Sequence, residues 1–491
     1  MKKIIYSLGI VVMLVMGSSC KKWLDTQPRD GITRQGFWKT KEDIQAAVSG
    51  CYASLLAPPP GVNDKALTEY LFMFGEMRAD MIDAGPGITN EEKDIFDVNI
   101  VESNSVSRWS AFYRTINFCN TVLDYAPAVK DVDPTLSTEQ LNAYLSEVLA
   151  LRSMMYFNLV KTFRDVPLKL TSTSKDTDLQ DLPKTSGADI LNQIVADLKK
   201  AEAGAVTTYG STVNDKGRVT KFTVNAILAD VYLWMDNYSA CLTECNKIIS
   251  SQRYAMQSAG SSWYFNVFYN GSSTETIFEF NNSNSVNNVF YNLLIQAKKR
   301  FIASAYVASD VYMPDEVDPD RFYDIRGDVF YRNSDFSIVK WGTENPSFVN
   351  WQAYRITDIM LMKAEALAQT NAGTEALALI NEIRLKRNAV TATAQTPDVE
   401  DKDGICDYIL AERSREFAFE GKRWFDILRM AKRDNYRRLD LLINIISQTV
   451  SPALQQSAIV KFRDINSHYF PIYEAELFAD PKLVQNPFYT K

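Results

Sequence analysis

The sequence predicts an all-α protein in which tetratricopeptide-type helical hairpins form a scaffold, interrupted by a loop-rich irregular insertion carrying a few short strands. Three observations carry that expectation. Apolar residues recur with the 3.6-residue helical period over long stretches. Two stretches repeat one pattern, a pair of amphipathic helices joined by a short turn. Between them, over about residues 251–350, the period vanishes and the chain becomes rich in Asn, Ser, Gly, Tyr, Phe and Trp.

The helices follow in order. Ile44, Ala47, Val48, Cys51 and Tyr52 mark one face of a helix beginning near Thr40, and the APPPG run at 57–61 breaks it. Residues 83–90 read as a loop, with Gly85, Pro86 and Gly87. A second helix is predicted over 106–125, stopped by Pro127. Leu145, Val148, Leu149, Met155, Tyr156 and Leu159 mark a third, closed by Pro167; residues 171–186 are polar loop, and 188–201 is helical again. Residues 222–234 are apolar on two faces, as in a helix sandwiched between neighbours. Asp236 and Asn237 turn the chain into a partner helix carrying Cys241, Leu242, Cys245, Ile248 and Ile249. The hairpin returns with Ile356, Ile359, Met360, Ala364 and Leu367, a turn at 371–374 with Gly373 as stop and Thr374 as cap, then Ala376, Leu379, Ile380 and Ile383. Ala226, Ala229, Ala364 and Ala366 let the helices approach closely. Thr276 to Phe280 (TIFEF) fits a short strand.

The N-terminus is an address. Lys2 and Lys3 precede an apolar run at 4–16, shorter than the roughly 20 residues that span a bilayer. Gly17, Ser18 and Ser19 follow, then Cys20, so residues 1–19 read as a secretory signal peptide. Its layout resembles a bacterial lipoprotein signal, in which that cysteine is acylated, although Gly17 stands where Leu is usual. The alternative is an ordinary secreted protein with an incidental cysteine. Residues 20–40 read as a tether.

Composition excludes whole classes. Of the 491 residues 46% are hydrophobic, enough for a sizeable core, and the net charge of -7 disfavours nucleic acid as a partner. His468 is the only histidine, which removes most zinc sites and the usual Ser-His-Asp chemistry. Cys20, Cys51, Cys119, Cys241, Cys245 and Cys406 show no disulfide framework, and Cys241 and Cys245 read as small core residues. Glu412, Glu416 and Glu420 lie at helical spacing, as a glycosidase pair could. Arg413, Arg415 and Arg423 share that segment, so structural ion pairs around Trp424 and Phe425 are the favoured reading. Asp401, Asp403 and Gly404 fail the EF-hand pattern and read as a solvated turn. No catalytic residue, metal ligand or cofactor is expected.

Several stretches together resemble the SusD/RagB-like outer-membrane nutrient-binding lipoproteins of Bacteroidetes. They are WLDTQP at 23–28, FWKTKEDIQAAVSGCYASL at 37–55, LRSMMYFNLVKTFRDVPL at 151–168 and GRVTKFTVNAILADVYLWM at 217–235. YRITDIMLMKAEALAQ at 354–369 and ALALINEIRLKR at 376–387 follow. The most specific are ILAERSREFAFEGKRWFDILR at 409–429, YFPIYEAEL at 469–477 and PKLVQNPFY at 481–489. The resemblance implies an all-α fold with four tetratricopeptide-type units, and a single domain over 41–491. It also implies a lid, lipid-attached at Cys20, on a SusC-type TonB-dependent transporter of the outer membrane. Such a lid captures an oligosaccharide, or in some cases a peptide, and performs no chemistry on it. Lys21 and Lys22 replace the acidic cluster associated with surface export, so surface display rests on the resemblance. A lipid-anchored glycosidase is the reading from a different class.

Sugars stack their C–H faces on aromatic rings, each ring yielding roughly 1 to 2 kcal/mol. The loop aromatics Phe96, Trp263, Tyr264, Tyr269, Tyr291 and Tyr306 are therefore the candidate ligand contacts, with Asp80 and Asp83 as polar partners.

Overall fold

The computed structural model describes residues 34–61, 64–260, 262–282, 288–312, 324–342, 349–391, 393 and 395–490. The signal peptide at 1–19, Cys20 and the tether as far as residue 33 lie outside the described residues.

Helices of ten residues or more are numbered here in chain order. The first, α1 (Lys41–Leu56), begins at a reciprocal cap: the Thr40 hydroxyl accepts from Asp43 N–H, and the Asp43 carboxylate accepts from Thr40 N–H. Then come α2 (Leu67–Glu76), α3 (Ser110–Val129), α4 (Thr138–Phe163), α5 (Gly187–Gly204), α6 (Lys221–Trp234) and α7 (Tyr238–Ser250). After the irregular region follow α8 (Ile356–Gln369), α9 (Gly373–Lys386), α10 (Lys402–Glu416), α11 (Arg423–Tyr436), α12 (Asp440–Thr449) and α13 (Pro452–Phe462). Neighbours in sequence pack as antiparallel pairs, α4 with α5, α6 with α7, and α8 with α9, and α7 packs on α8. Among the described residues six short strands form three two-stranded antiparallel ladders. These are β1 (Ile82–Ala84) with β5 (Phe301–Ala303), β2 (Val166–Pro167) with β3 (Lys184–Thr185), and β4 (Thr276–Phe280) with β6 (Trp351–Arg355). The predicted TIFEF strand is thus present, and it is buried along its whole length.

Three boundaries differ from the sequence reading, each for a local reason. α3 starts at Ser110 and runs past Pro127. Proline in the last turn forfeits a single backbone bond, and buried Ala126 and Val129 hold that turn against the core. Gly373 opens α9 instead of stopping α8, and Ala372, not Thr374, is the cap. A Cβ at Gly373 would collide with the Val399 carbonyl, so close approach, not termination, requires glycine there; Asn371 takes the left-handed φ of 61°. Glu420 does not share a helix with Glu412 and Glu416. α10 ends at Glu416, and Phe419 (φ 63°) and Gly421 (φ 74°) reverse the chain.

Those three glutamates are buried in a network of ion pairs. Glu416 meets Arg355 at 2.7 Å, Arg387 at 2.9 Å and Arg326 at 3.0 Å. Glu412 pairs with Arg326 at 2.6 Å, and Glu420 with Lys340 at 2.6 Å and Arg355 at 2.7 Å. Glu275 closes the ring on Arg387 at 2.8 Å. Burial alone would raise the Glu416 pKa, but the charges of Arg387, Arg355 and Arg326 overcome it and hold the carboxyl well below its ordinary value. Asp401 caps α10 by accepting from Gly404 N–H at 2.9 Å. Cys241 and Cys245 are buried thiols with sulfurs 4.0 Å apart.

One contact ties the N-terminal region to the C-terminal one. A Cβ at Gly75 would run into the Gly421 carbonyl, so α2 meets this turn backbone to backbone. The Glu76 carboxyl, fully buried, accepts from Gly421 N–H at 2.7 Å while its second oxygen has no partner. Burial drives its pKa up to about 8, against the opposing pull of the Gly421 and Lys422 amides.

Two predictions follow from these buried carboxyls. Glu416→Gln leaves three guanidiniums short of one charge and is expected to cost about 3–5 kcal/mol in urea denaturation. Glu76 has a folded pKa above its unfolded value, so the folded chain holds its proton where the unfolded chain has lost it. Its contribution is complete below about pH 4.5 and is lost as pH rises through about 8. Glu76→Gln is therefore expected to gain in Tm relative to the parent between pH 5 and pH 9; a constant difference across that range contradicts the assignment.

Candidate ligand platform

Residues 263–270 read WYFNVFYN, an aromatic run with no polar alternation. The chain folds it into one π-turn over Phe265–Tyr269, closed by Asn270 N–H donating to the Phe265 carbonyl at 2.8 Å. The turn sorts the rings by face. Trp263, Val267 and Phe268 point inward and are at most 1% exposed, whereas Phe265 and Tyr269 point out at 52% and 51%. The two outward rings stand 5.5 Å apart at 66°, and Tyr264 meets Phe265 at 5.4 Å. Exposed Asn266 and Asn270 place carboxamides on the same turn. Rings beside carboxamides offer both a stacking surface and hydrogen-bond partners for hydroxyls.

The inward side fixes the turn. Trp263 packs on Phe268 at 5.6 Å and on Phe330 at 5.9 Å, with the Arg387 guanidinium 4.6 Å over its ring. The Tyr264 hydroxyl donates to the Val339 carbonyl at 3.1 Å, and burial pushes its pKa up to about 12. Gln352 Nε2 on β6 donates to the Val267 carbonyl. Below the turn, the Glu279 carboxylate accepts from Ser272 N–H at 3.0 Å and from Asn350 Nδ2 at 2.9 Å, which orders the link into β4.

The remaining sequence candidates are placed as follows. Tyr264 and Tyr269 are brought together on the platform, while Tyr291 is half-buried on a second π-turn, Tyr291–Ile295. Asp83 is exposed on β1, its carboxylate accepting from Ala84 N–H at 2.7 Å. Phe96 is half-buried against Phe301 at 6.1 Å, and Tyr306 is half-buried beside Asp80 and Arg423. Two candidates are corrected. Asp80 is 3% exposed and bidentate on Arg423 at 2.7 and 2.8 Å, so its oxygens are committed to structure. Trp263, 1% exposed, is the anchor of the platform and not part of its surface. Sequence reading passed over Phe265, although its i, i+4 spacing from Tyr269 within the aromatic run marks the pair as sharing a face. Among the described residues no group of three or more His, Cys, Asp or Glu side chains could hold a metal ion, and no helix is long and apolar enough to cross a membrane.

Comparison with known proteins agrees along the whole chain. Residues 202–489 match the model of the SusD family, and residues 22–233 match a second model described as starch-binding associating with outer membrane. SusD-like protein P38 of Formosa agariphila is 25% identical over 539 residues, covering 99% of each chain. SusD-like protein P2 of the same organism is 24% identical, covering 88% of this chain and 91% of that one. Among solved structures, a SusD superfamily protein from Bacteroides vulgatus superposes with a TM-score of 0.75 at 22% identity, over 92% of this chain and 100% of that one. NanU of B. fragilis gives a TM-score of 0.71 at 21% identity, over 95% and 100%. The two family matches together span residues 22–489, the irregular stretch included.

The two faces of the turn carry a direct prediction. Trp263→Ala is expected to destabilise the fold by about 3–5 kcal/mol, as for a large buried aromatic. Tyr269→Ala is expected to stay within about 0.5 kcal/mol of the parent. Urea denaturation followed by circular dichroism distinguishes them.

Proposed function

This chain belongs to the SusD family, and from that premise we propose that it is a cell-surface lipoprotein that captures an oligosaccharide and delivers it to a SusC-type TonB-dependent transporter of the outer membrane. Capture involves no bond-making or bond-breaking. The observation that carries this reading is the outward ring pair Phe265 and Tyr269, flanked by Asn266 and Asn270 on a turn whose other face is locked into the core. Two exposed rings side by side make a contiguous apolar patch of the kind that marks a binding surface, and the C–H face of a sugar fits it. Two rings contributing roughly 1 to 2 kcal/mol each give weak, reversible binding, which suits a protein that must hand its cargo on. The Glu412, Glu416 and Glu420 carboxylates, all inside ion pairs, have no role in this reading beyond stability. Cys20 is the acylation site of the proposal, and several acyl chains at about 0.8 kcal/mol per buried methylene make a permanent anchor.

Titration calorimetry against panels of oligosaccharides and of peptides tests the proposal. Saturable binding of at least one glycan is expected, weakened about tenfold by Phe265→Ala or Tyr269→Ala with little change in Tm. Binding confined to peptides would reassign the cargo, and shortened glycan products after incubation would overturn the non-catalytic reading.

A further inference from the structure

The aromatic turn ends on a reactive pair. Asn270 and Gly271 form the only Asn-Gly step in the sequence. Asn is a chemically labile side chain, because its carboxamide carbon can be reached by the backbone nitrogen of the next residue. Three features govern that attack: the bulk of the next residue, the hydrogen bonds on the peptide between the two, and access to water. Glycine has no Cβ to shield its nitrogen. Among the described residues no acceptor takes the Gly271 N–H, and no donor reaches the Asn270 carbonyl. Asn270 is exposed to water. It stands at φ -77°, ψ -23°, so ring closure needs a rotation about ψ, and no hydrogen bond on that peptide opposes it.

The packing requires glycine at this step. Gly271 takes a left-handed φ of 66°. A Cβ placed on it would fall 2.8 Å from Asn350 Nδ2 and 3.4 Å from Glu279 Oε1. A bulkier residue would shield the nitrogen but strain the link into β4. The same turn also contains the contrasting case. Asn266 is equally exposed, but the residue after it is Val267, buried and β-branched. Two surface carboxamides of one turn therefore differ in the one feature that decides reactivity.

We propose that Asn270 is a site of spontaneous covalent modification that turns a neutral position of the platform into an anionic one. The Gly271 nitrogen bonds to Asn270 Cγ. Its proton leaves with the carboxamide nitrogen as ammonia, and a cyclic succinimide remains. Water then adds across one of the two ring C–N bonds. Opening at Cγ gives aspartate. Opening at the backbone carbonyl carbon gives isoaspartate, whose side-chain carbons now belong to the main chain. Either product gains a carboxylate and loses the two N–H donors of the carboxamide. The new charge arises two residues from the Ser272 N–H that the Glu279 carboxylate accepts at 3.0 Å, so it meets a like charge. Isoaspartate also lengthens the main chain between two fixed points, the Asn270 N–H on the Phe265 carbonyl and the Ser272 N–H on Glu279. The chemistry is independent of glycan capture; only its effect on a ligand rests on that reading.

Incubating the folded full chain at mildly alkaline pH in water enriched in oxygen-18, followed by peptide mass mapping with fragmentation, tests the proposal. Asn270 is expected to lose ammonia, to gain one heavy oxygen and to give two isomeric products on chromatography. The conversion is expected to run at least about tenfold faster than at Asn266. Isoelectric focusing of the intact chain is expected to show a new band, more acidic by one charge, growing at the same rate. Conversion at Asn270 no faster than at Asn266, or a mass gain without the label, would overturn the proposal. Asn270→Gln keeps a carboxamide but moves it one methylene further from the nitrogen, and is expected to abolish both the mass change and the acidic band. An acidic band that still grows at the parent rate in this variant would place the reaction elsewhere and refute the assignment. No ligand enters either readout, so the result stands whether or not the platform binds a glycan.

Discussion

The Glu416 carboxylate, set among Arg326, Arg355 and Arg387, is the constraint from which the irregular half of the molecule hangs. Its four members come from four segments: the end of α10, the short helix Ile325–Phe330, the end of β6, and the residue following α9. Regular backbone ladders cannot hold such a region, because its strands are three to five residues long. Charge does what periodic hydrogen bonding does elsewhere. Desolvating these ions is expensive, and the arrangement is stable only as a complete set. It specifies one geometry for the insertion instead of simply adding cohesion.

That geometry reaches the surface in two steps. Arg387, paired with Glu416 and Glu275, lays its guanidinium over the Trp263 ring. Trp263 in turn packs on Phe268, and the π-turn between them throws Phe265 and Tyr269 outward. A rigid helical scaffold therefore presents exposed rings on an irregular element without leaving that element loose, which is how loops carry recognition at modest entropic cost.

The helical scaffold was legible in the sequence because amphipathic periodicity is a local signal. The hairpins around 222–250 and 356–383 and the TIFEF strand needed no tertiary information. The glutamates were read correctly as structural, but not their partners: of the arginines in the same segment only Arg415 meets one of them, Glu412, whereas Arg413 pairs with Asp358 and Asp426 and Arg423 with Asp80, and the remaining cations on the glutamates come from distant segments. What escaped was long-range. Asp80 reads as a free loop carboxylate until Arg423 arrives from 343 positions away. Trp263 and Tyr269 look alike in an aromatic run, and only the π-turn, one residue wider than an α-turn, decides which faces water. The continuation of α3 past Pro127 to Val129 and the role of Gly373 were likewise set by tertiary packing, through buried Ala126 and Val129 in the first case and the Val399 carbonyl in the second.

The backbone contact between Gly75 and Gly421 sets a limit on the order of assembly. Glu76 finds its amide donor 345 residues downstream, and α2 cannot seat until that turn exists. Synthesis proceeds from the N-terminus, so α2 must wait for its seat until most of the chain has emerged, although α3, α4 and α5 can already pack on one another. Contacts of such separation slow the final closure. A fold that closes only through a contact between its two ends therefore leaves the α2 surface open until synthesis is nearly complete.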